Sequence, residues 1–346
     1  MAAVKALVYD RPGTIEWREH PDPAIREQTD IILRVTTTTL CGTDVHVLNG
    51  GVPDAPPGTV LGHEGVGIVE EVGSAVRNVA PGDRVLATAM TACGSCPFCT
   101  ARLYGQCVHG GWKLGHTIDG AQAEYVRIPF AQNSVYKVPP ELTDEQVVLL
   151  PCIFITGYDV GVLLGQVSPG DTVAIVGAGP VGLATTLVAQ LFSPATIVAV
   201  DPIESRRQKA LEVGATHAVS PEEAGAVVAD LTGGLGADVT IEAAGFPAPF
   251  ELAVELVRPG GRIVNIGVHE QPVTLHMEKL WSMGVTLATG IPNGLSIPRL
   301  MRAISSGGLD VTSLITHRLP LEKIEEAYDV FTHASETNAL KVVLSA

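Results

Sequence analysis

Between Asp171 and Asp201 the chain carries no charged residue, and from Val173 it reads VAIVGAGPVGLATTLVAQLFSPATIVAVD. The opening VAIVG is a short apolar, β-branched run with the character of a strand buried on both faces. Gly177-Ala178-Gly179-Pro180-Val181-Gly182 follows at once. LATTLVAQLF then continues as a helix, Ser193-Pro194 ends it, and TIVAVD reads as a second buried strand closed by an acid. Few folds accommodate this order. Strand, tight turn, helix and strand make one right-handed crossover, and such units build a parallel sheet with helices on its faces. The glycines stand at G-x-G-x-x-G spacing. Gly177 permits the turn, Gly179 lets backbone approach a pyrophosphate, and Gly182 lets the helix pack close to its strand. Pro180 and Val181 open the helix, whose N-terminus faces the negative charge. An uncharged run this long also resembles a membrane span, but three glycines, two prolines and a breaker between two β-branched clusters oppose that reading.

Asp201 stands 19 residues past Gly182. A carboxylate there can accept hydrogen bonds from the adenosine ribose hydroxyls and would repel a 2′-phosphate, so NAD is expected before NADP. Arg206 and Arg207 follow closely and are what a 2′-phosphate would want; otherwise they are solvated residues of the next helix.

Beyond Asp201, helical segments (IESRRQKALEVG, PEEAGAVVADLTGG, PFELAVELVRPGG) alternate with strands (THAVS, ADVTIEAAG, RIVNIG) under Gly/Pro punctuation. This predicts a doubly wound parallel sheet, with GVTLATG, residues 284–290, as a sixth strand. FITGYDVGVLLGQVSPG, residues 154–170, reads as a helix leading into it. The first 40 residues differ: VKALVYD, TIEWRE and DIILRVTTTTL are strands between breakers, and more short strands follow (VGIVEEVG, DRVLATA). The fold class is therefore α/β, a Rossmann sheet joined to a β-rich domain. Boundaries are expected at 1–153 (β-rich), 154–292 (dinucleotide-binding) and 293–346 (return to the first domain).

A net charge of −15 disfavours nucleic acid and anionic membranes as partners. Lys5 and Asp10 interrupt any signal-peptide apolar region, so a cytoplasmic protein is expected, whose six cysteines are thiols or metal ligands. Four of them, Cys93, Cys96, Cys99 and Cys107, fall within fifteen residues. They suit a closed tetrahedral zinc site of four thiolates, and an iron–sulfur cluster could use the same set. A redox C-x-x-C would leave two thiols unexplained. The other two, Cys41 and Cys152, could join His63 in an open zinc site with room for water or substrate. Their wide separation leaves the duller reading open for each, that of a small buried thiol or a satisfied core histidine.

CGTDVH, GHEGVGIVEEVG, CGSCPFC with its later cysteine, and VGAGPVGL together resemble the zinc-dependent alcohol dehydrogenases of the medium-chain dehydrogenase/reductase superfamily, over nearly the whole chain. Gly110-Gly111-Trp112-Lys113 resembles the bacterial secondary alcohol dehydrogenases. The resemblance implies a GroES-like catalytic domain and two zinc ions per chain. Cys41, His63 and Cys152 match the catalytic zinc ligands, and Cys93, Cys96, Cys99 and Cys107 the structural ones. Glu64 matches an acid that can approach the metal, Thr43 a hydroxyl contacting the substrate oxygen, His46 a proton-relay histidine and Asp44 the acid behind the metal-bound imidazole. Ile266, Gly267 and Val268 would lie against the nicotinamide, with Glu242 to Gly245 nearby, in a cleft between the domains. Trp112 and Ala89 would shape the substrate pocket. One departure stands out: relatives sharing the GGWK stretch commonly have aspartate where LLPCIFITGYD has Cys152, and polyol dehydrogenases usually lack cysteine there.

The implied activity interconverts alcohols, secondary ones above all, with ketones or aldehydes by hydride transfer with NAD(H), in a homodimer or homotetramer. Polyol or aldehyde oxidation, a zinc-free reductase, or a non-catalytic NAD-binding protein are the alternatives.

Overall fold

The computed structural model describes residues 3–346. The chain divides into two compact units, one formed by residues 1–152 with 292–346 and the other by 153–291.

The first unit opens with β1 (Ala3–Arg11) and β2 (Thr14–Pro21), an antiparallel hairpin turning at Gly13. β3 (Ile31–Thr39) is almost wholly buried, which suits its run of β-branched residues. After the short β4 (Thr59–Val60) come β5 (Gly65–Val72) and β6 (Arg84–Ala87). Among the described residues β7 (Met90–Thr91) pairs only with β8 (Gly111–Trp112), clasping the base of the cysteine lobe. β9 (Tyr125–Ile128) and β10 (Val135–Lys137) complete this part. β3 pairs antiparallel with β5 and with β9, β5 with β6, and β6 with β10. Ile31, Leu33, Val35, Val69, Val85, Val126 and Ile128 fill one core.

In the second unit β11 (Thr172–Val176), β12 (Thr196–Val200), β13 (His217–Val219), β14 (Ala237–Glu242), β15 (Val257–Asn265) and β16 (Thr286–Thr289) form one parallel sheet in the order β13-β12-β11-β14-β15-β16. All of β11 is buried, as a two-sided strand requires. The expected turn is present. Gly177 has φ +105°, and a Cβ on Gly182 would run into the Gly177 carbonyl oxygen. The helix Pro180–Ala189 starts after Gly179 with Pro180 in its first turn.

The segment expected as an ordinary helix departs from that form. Leu150–Phe154 and Thr156–Leu164 are π-helical, wound wider than an α-helix. Close packing accompanies this: a Cβ on Gly157 would come within 2.7 Å of Thr185 Oγ1 on the glycine-turn helix. Among the described residues no single helix is long and apolar enough to cross a membrane.

The chain then returns to the first unit. The helix Ile297–Ser305 buries Ile297, Leu300, Met301 and Ile304, the spacing of one apolar helical face. β17 (Ile315–Pro320) and β18 (Lys341–Ser345) run parallel, and β18 lies antiparallel to β3, with Val343 opposite Thr39. Leu40, the residue after β3, is thereby brought beside Lys341 at the start of β18.

Candidate active site

The four lobe cysteines have no disulfide. A short helix, Pro97–Thr100, begins at Cys96, whose sulfur accepts the Cys99 amide at 3.5 Å. The Cys107 sulfur accepts the Cys93 amide at 3.3 Å. Sulfur–sulfur distances are 3.9 Å for Cys93–Cys99 and 4.0 Å for Cys96–Cys107, with all four atoms mutually within 4.8 Å. Four thiolates at about 2.3 Å from a tetrahedral zinc stand about 3.8 Å apart, so the set fits. The thiols also differ sharply. Burial opposes ionisation of Cys93, yet the Ser95 and Cys96 amides bring it down to about 6, while burial and the neighbouring sulfurs push Cys99 up to about 12. Without a cation the quartet cannot hold four negative charges together.

The second cluster draws four residues from three places in the chain. Cys41 follows β3 and opens the helix Gly42–Leu48, a short helix that the strand-rich pattern of this region did not suggest. His63 follows the turn at Gly62, where φ is +93° and any Cβ would meet Gln122. Glu64 immediately precedes β5, and Cys152 sits in the first π-helical turn. Cys41 Sγ lies 3.4 Å from Cys152 Sγ, and Cys152 Sγ 3.4 Å from His63 Nε2. One carboxylate oxygen of Glu64 joins them within 4.8 Å. His63 Nδ1 is 3.1 Å from Asp44 Oδ1, which directs Nε2 toward the thiols. Asp44 also accepts the Cys41 amide at 2.9 Å.

The charges here are strongly coupled. The hydrogen bond with Cys152 holds the Cys41 thiol well below the usual range, and that same bond, with burial, drives Cys152 well above it. Burial opposes protonation of His63, but Asp44 raises it well above an ordinary histidine. Burial lifts Glu64 to about 7 although Lys341 opposes the rise. Glu64 Oε1 is buried with no hydrogen-bond partner. Two sulfurs, an imidazole nitrogen and a carboxylate oxygen converging out of water are a donor set for a cation.

Thr43 Oγ1 lies 3.6 Å from Cys41 Sγ, and half-buried His46 follows one helical turn later. The Trp112 ring meets the His63 ring edge-on at 6.3 Å and stacks on His116 at 4.3 Å. His116 Nε2 stands 2.9 Å from Asp54 Oδ1. Ala89 is buried.

In the second unit a cavity of about 540 Å³ is lined by Gly177, Asp201, Arg206, Ala244 and Phe246 among others. Asp201 is 3% exposed. Its Oδ2 accepts the Ala178 amide at 2.8 Å and its Oδ1 the Ile203 amide at 2.9 Å, so the acid is locked against the glycine turn. Arg206 Nη1 is 3.8 Å from Asp201 Oδ2, and Arg207 Nη1 donates to the Asp201 and Pro202 carbonyls at 2.8 Å. Gly179, Pro180, Val181 and Gly182 begin the helix beside the cavity, with no acidic side chain in its first turn. Ile266 is buried and Val268 is 55% exposed at the end of β15.

Comparison with known proteins agrees with this geometry. Residues 27–140 match the alcohol dehydrogenase GroES-like domain, and residues 180–306 match the zinc-binding dehydrogenase family. An alcohol dehydrogenase of Cupriavidus necator is 38% identical across 99% of both chains. The chain belongs to the zinc-dependent alcohol dehydrogenases. The solved zinc-dependent alcohol dehydrogenase 2 from Streptococcus pneumonia superposes with a TM-score of 0.94 at 44% identity, covering 99% of this chain and 98% of that one. A zinc-binding dehydrogenase from Sinorhizobium meliloti 1021, solved with NADP bound, superposes with a TM-score of 0.86 at 31% identity over 100% of both chains. As a member of this family the chain is a zinc-dependent oxidoreductase of alcohols and carbonyl compounds.

Around the cluster of this alcohol dehydrogenase stand three residues that sequence reasoning missed. Lys341, buried like Glu64, lies 2.7 Å from Glu64 Oε2 and donates to the Leu40 carbonyl at 2.7 Å. Gln122 donates to Asp44 Oδ2 at 3.2 Å and accepts from the Tyr328 hydroxyl at 2.9 Å. Lys341 carried one signal, a lone charge in the apolar run ALKVVL. Gln122 and Tyr328 carried none.

Proposed function

We propose that this alcohol dehydrogenase oxidises secondary alcohols to ketones, and reduces ketones, with NAD(H). The reading is carried by the convergence of Cys41, His63 and Cys152, with a Glu64 carboxylate oxygen beside them. These residues would hold the catalytic zinc, and Cys93, Cys96, Cys99 and Cys107 a structural one, at two per chain. The zinc supplies Lewis acidity at the substrate oxygen, and the nicotinamide supplies hydride exchange. The protein does the rest. Thr43 receives the proton of the substrate hydroxyl, and His46 passes it to solvent. Asp44 fixes the tautomer of His63. The Trp112 ring walls the site on the His63 side with apolar surface, which favours a hydrocarbon substituent over a polyol chain.

For the cofactor, Gly177, Gly179, Pro180, Val181 and Gly182 would receive the pyrophosphate, Asp201 and Arg206 the adenosine ribose, and Ile266, Gly267 and Val268 the nicotinamide. Buried Asp201 lines the cavity as a fixed acid and engages Arg206, so a 2′-phosphate meets negative charge without a free arginine. Initial rates with 2-butanol, sorbitol and formaldehyde, each with NAD and NADP, test the whole reading. The expected result is a kcat/KM for 2-butanol with NAD at least about tenfold above every other pairing, as one unmatched charge would produce. Equal rates with NADP, or sorbitol as the better substrate, would reject it.

A homodimer finds support at β16, the outer strand of the six-stranded sheet. Its free edge carries Leu287, and nearby Trp281 is 78% exposed and Met277 56%. Leu287→Glu is expected to halve the mass measured by light scattering; an unchanged mass would place the contact elsewhere.

A further inference from the structure

At the end of β14 many polar groups turn onto one residue. Glu242 is wholly buried. Its Oε1 accepts the amides of Ala244 and Gly245, each at 2.7 Å. Its carbonyl accepts those of Ile266 at 2.9 Å and Gly267 at 3.2 Å. Its Oε2 lies 3.3 Å from Nε2 of His269, and the same Nε2 lies 2.8 Å from Oδ1 of Asn265, the last residue of β15. Asn265 Nδ2 donates to the Gly267 carbonyl at 2.9 Å, which fixes the amide so that its oxygen faces the imidazole. Both partners of Nε2 are therefore acceptors, and Nε2 carries the proton. The ring stands edge-on to Phe250 at 6.0 Å, and Nδ1 is buried without a partner.

This one imidazole ties together two strand ends. Through Glu242 it holds the turn 243–245, and through Asn265 it holds the segment 265–269. The two segments are packed to the limit of backbone. Gly245 has φ +80°, and a Cβ on it would strike the Val268 carbonyl. A Cβ on Gly267 would come within 2.5 Å of Glu242 Oε2. Val268 itself is held outward. An apolar ring at 269 would fill the same space without leaving a nitrogen unpaired. What the imidazole adds is the Nε2 donor shared between two acceptors.

We propose that His269 is a positioning residue for the nicotinamide half of the cofactor. It fixes the peptide groups of Ile266 to Val268 in the shape that half requires, at the carboxyl end of the sheet where ligands of such folds bind. It touches no reacting atom. The proposal rests on the reading of this unit as the dinucleotide site.

The test compares the zinc-loaded wild-type enzyme with His269→Phe and His269→Gln. Kd is measured for NADH by fluorescence titration and for AMP by calorimetry; AMP lacks the nicotinamide half. In His269→Phe the Kd for NADH is expected to rise about tenfold, the size of one charge-assisted hydrogen bond, while that for AMP changes less than about twofold. Gln, whose side-chain amide offers an N–H of similar reach, is expected to recover NADH binding to within about threefold. Equal weakening of both ligands in His269→Phe would reveal a merely structural tie and overturn the proposal. No change in either, or no recovery with Gln, would overturn it too. A wild-type enzyme that binds neither ligand would instead reject the dinucleotide reading, and this inference with it.

Discussion

Cys41→Ser is expected to abolish turnover while leaving cofactor binding intact. Cys41 and Cys152 share hydrogen-bonded contact at 3.4 Å, and Cys41 is the thiol held down in pKa, so it carries the negative charge that draws a dication. A serine hydroxyl does not ionise in this range and is a poor zinc ligand. The lost contribution is several kcal/mol of charge stabilisation at the reacting oxygen, or about a thousandfold or more in kcat at about 1.4 kcal/mol per decade. Zinc content is expected to fall from about two to about one per chain, since the four-thiolate lobe is untouched. The cavity proposed for the dinucleotide is lined by residues 176–252, none of which is a ligand of the cluster, so Kd for NADH is expected to stay within about twofold. Elemental analysis, stopped-flow rates and fluorescence titration measure the three. Full activity in Cys41→Ser, or two retained zinc ions, would end the assignment of the catalytic cluster.

What could be read from the sequence was whatever the chain writes locally. The glycine turn lies within six residues: Gly177 supplies its left-handed φ, and Gly182 makes room for the Gly177 carbonyl oxygen, while a Cβ on Gly179 would stand in open space. The lobe cysteines lie close enough in sequence for spacing to speak. Cys41 and Cys152 are 111 residues apart, and nothing in either neighbourhood records the other. Only family resemblance joined them with His63 before the fold did. The layer behind them was out of reach for the same reason: Tyr328 is 206 residues from Gln122, its hydrogen-bond partner. The π-helical turns failed to register for a different reason. An apolar run has much the same pattern in an α- or π-helix, and the close approach at Gly157 and Thr185 is a tertiary fact. The helix Gly42–Leu48 is too short for its period to stand out from the strands around it.

Lys341 gives the second large effect. A lysine and a glutamate that both exclude water are each expensive to bury, and their attraction offsets that only while both are present. Lys341→Met keeps the stem and removes the charge. Glu64 then loses the cation that opposes the rise of its carboxyl, and must hold an uncompensated charge or take up a proton while Oε2 loses its Lys341 partner, and the Leu40 carbonyl loses its donor. Breaking one side of a buried pair costs about 3–5 kcal/mol, about 4–7 °C in Tm for a chain of this size. Adding Glu64→Gln to Lys341→Met removes the stranded acid, and the double variant is expected to regain more than half of the loss, a coupling only direct neighbours show. Calorimetric melts of the zinc-loaded wild type, both single variants and the double variant close the cycle. Additive losses would mean that Lys341 and Glu64 act independently. The pair would then be a packing feature of β18 and no part of the support beneath the metal cluster.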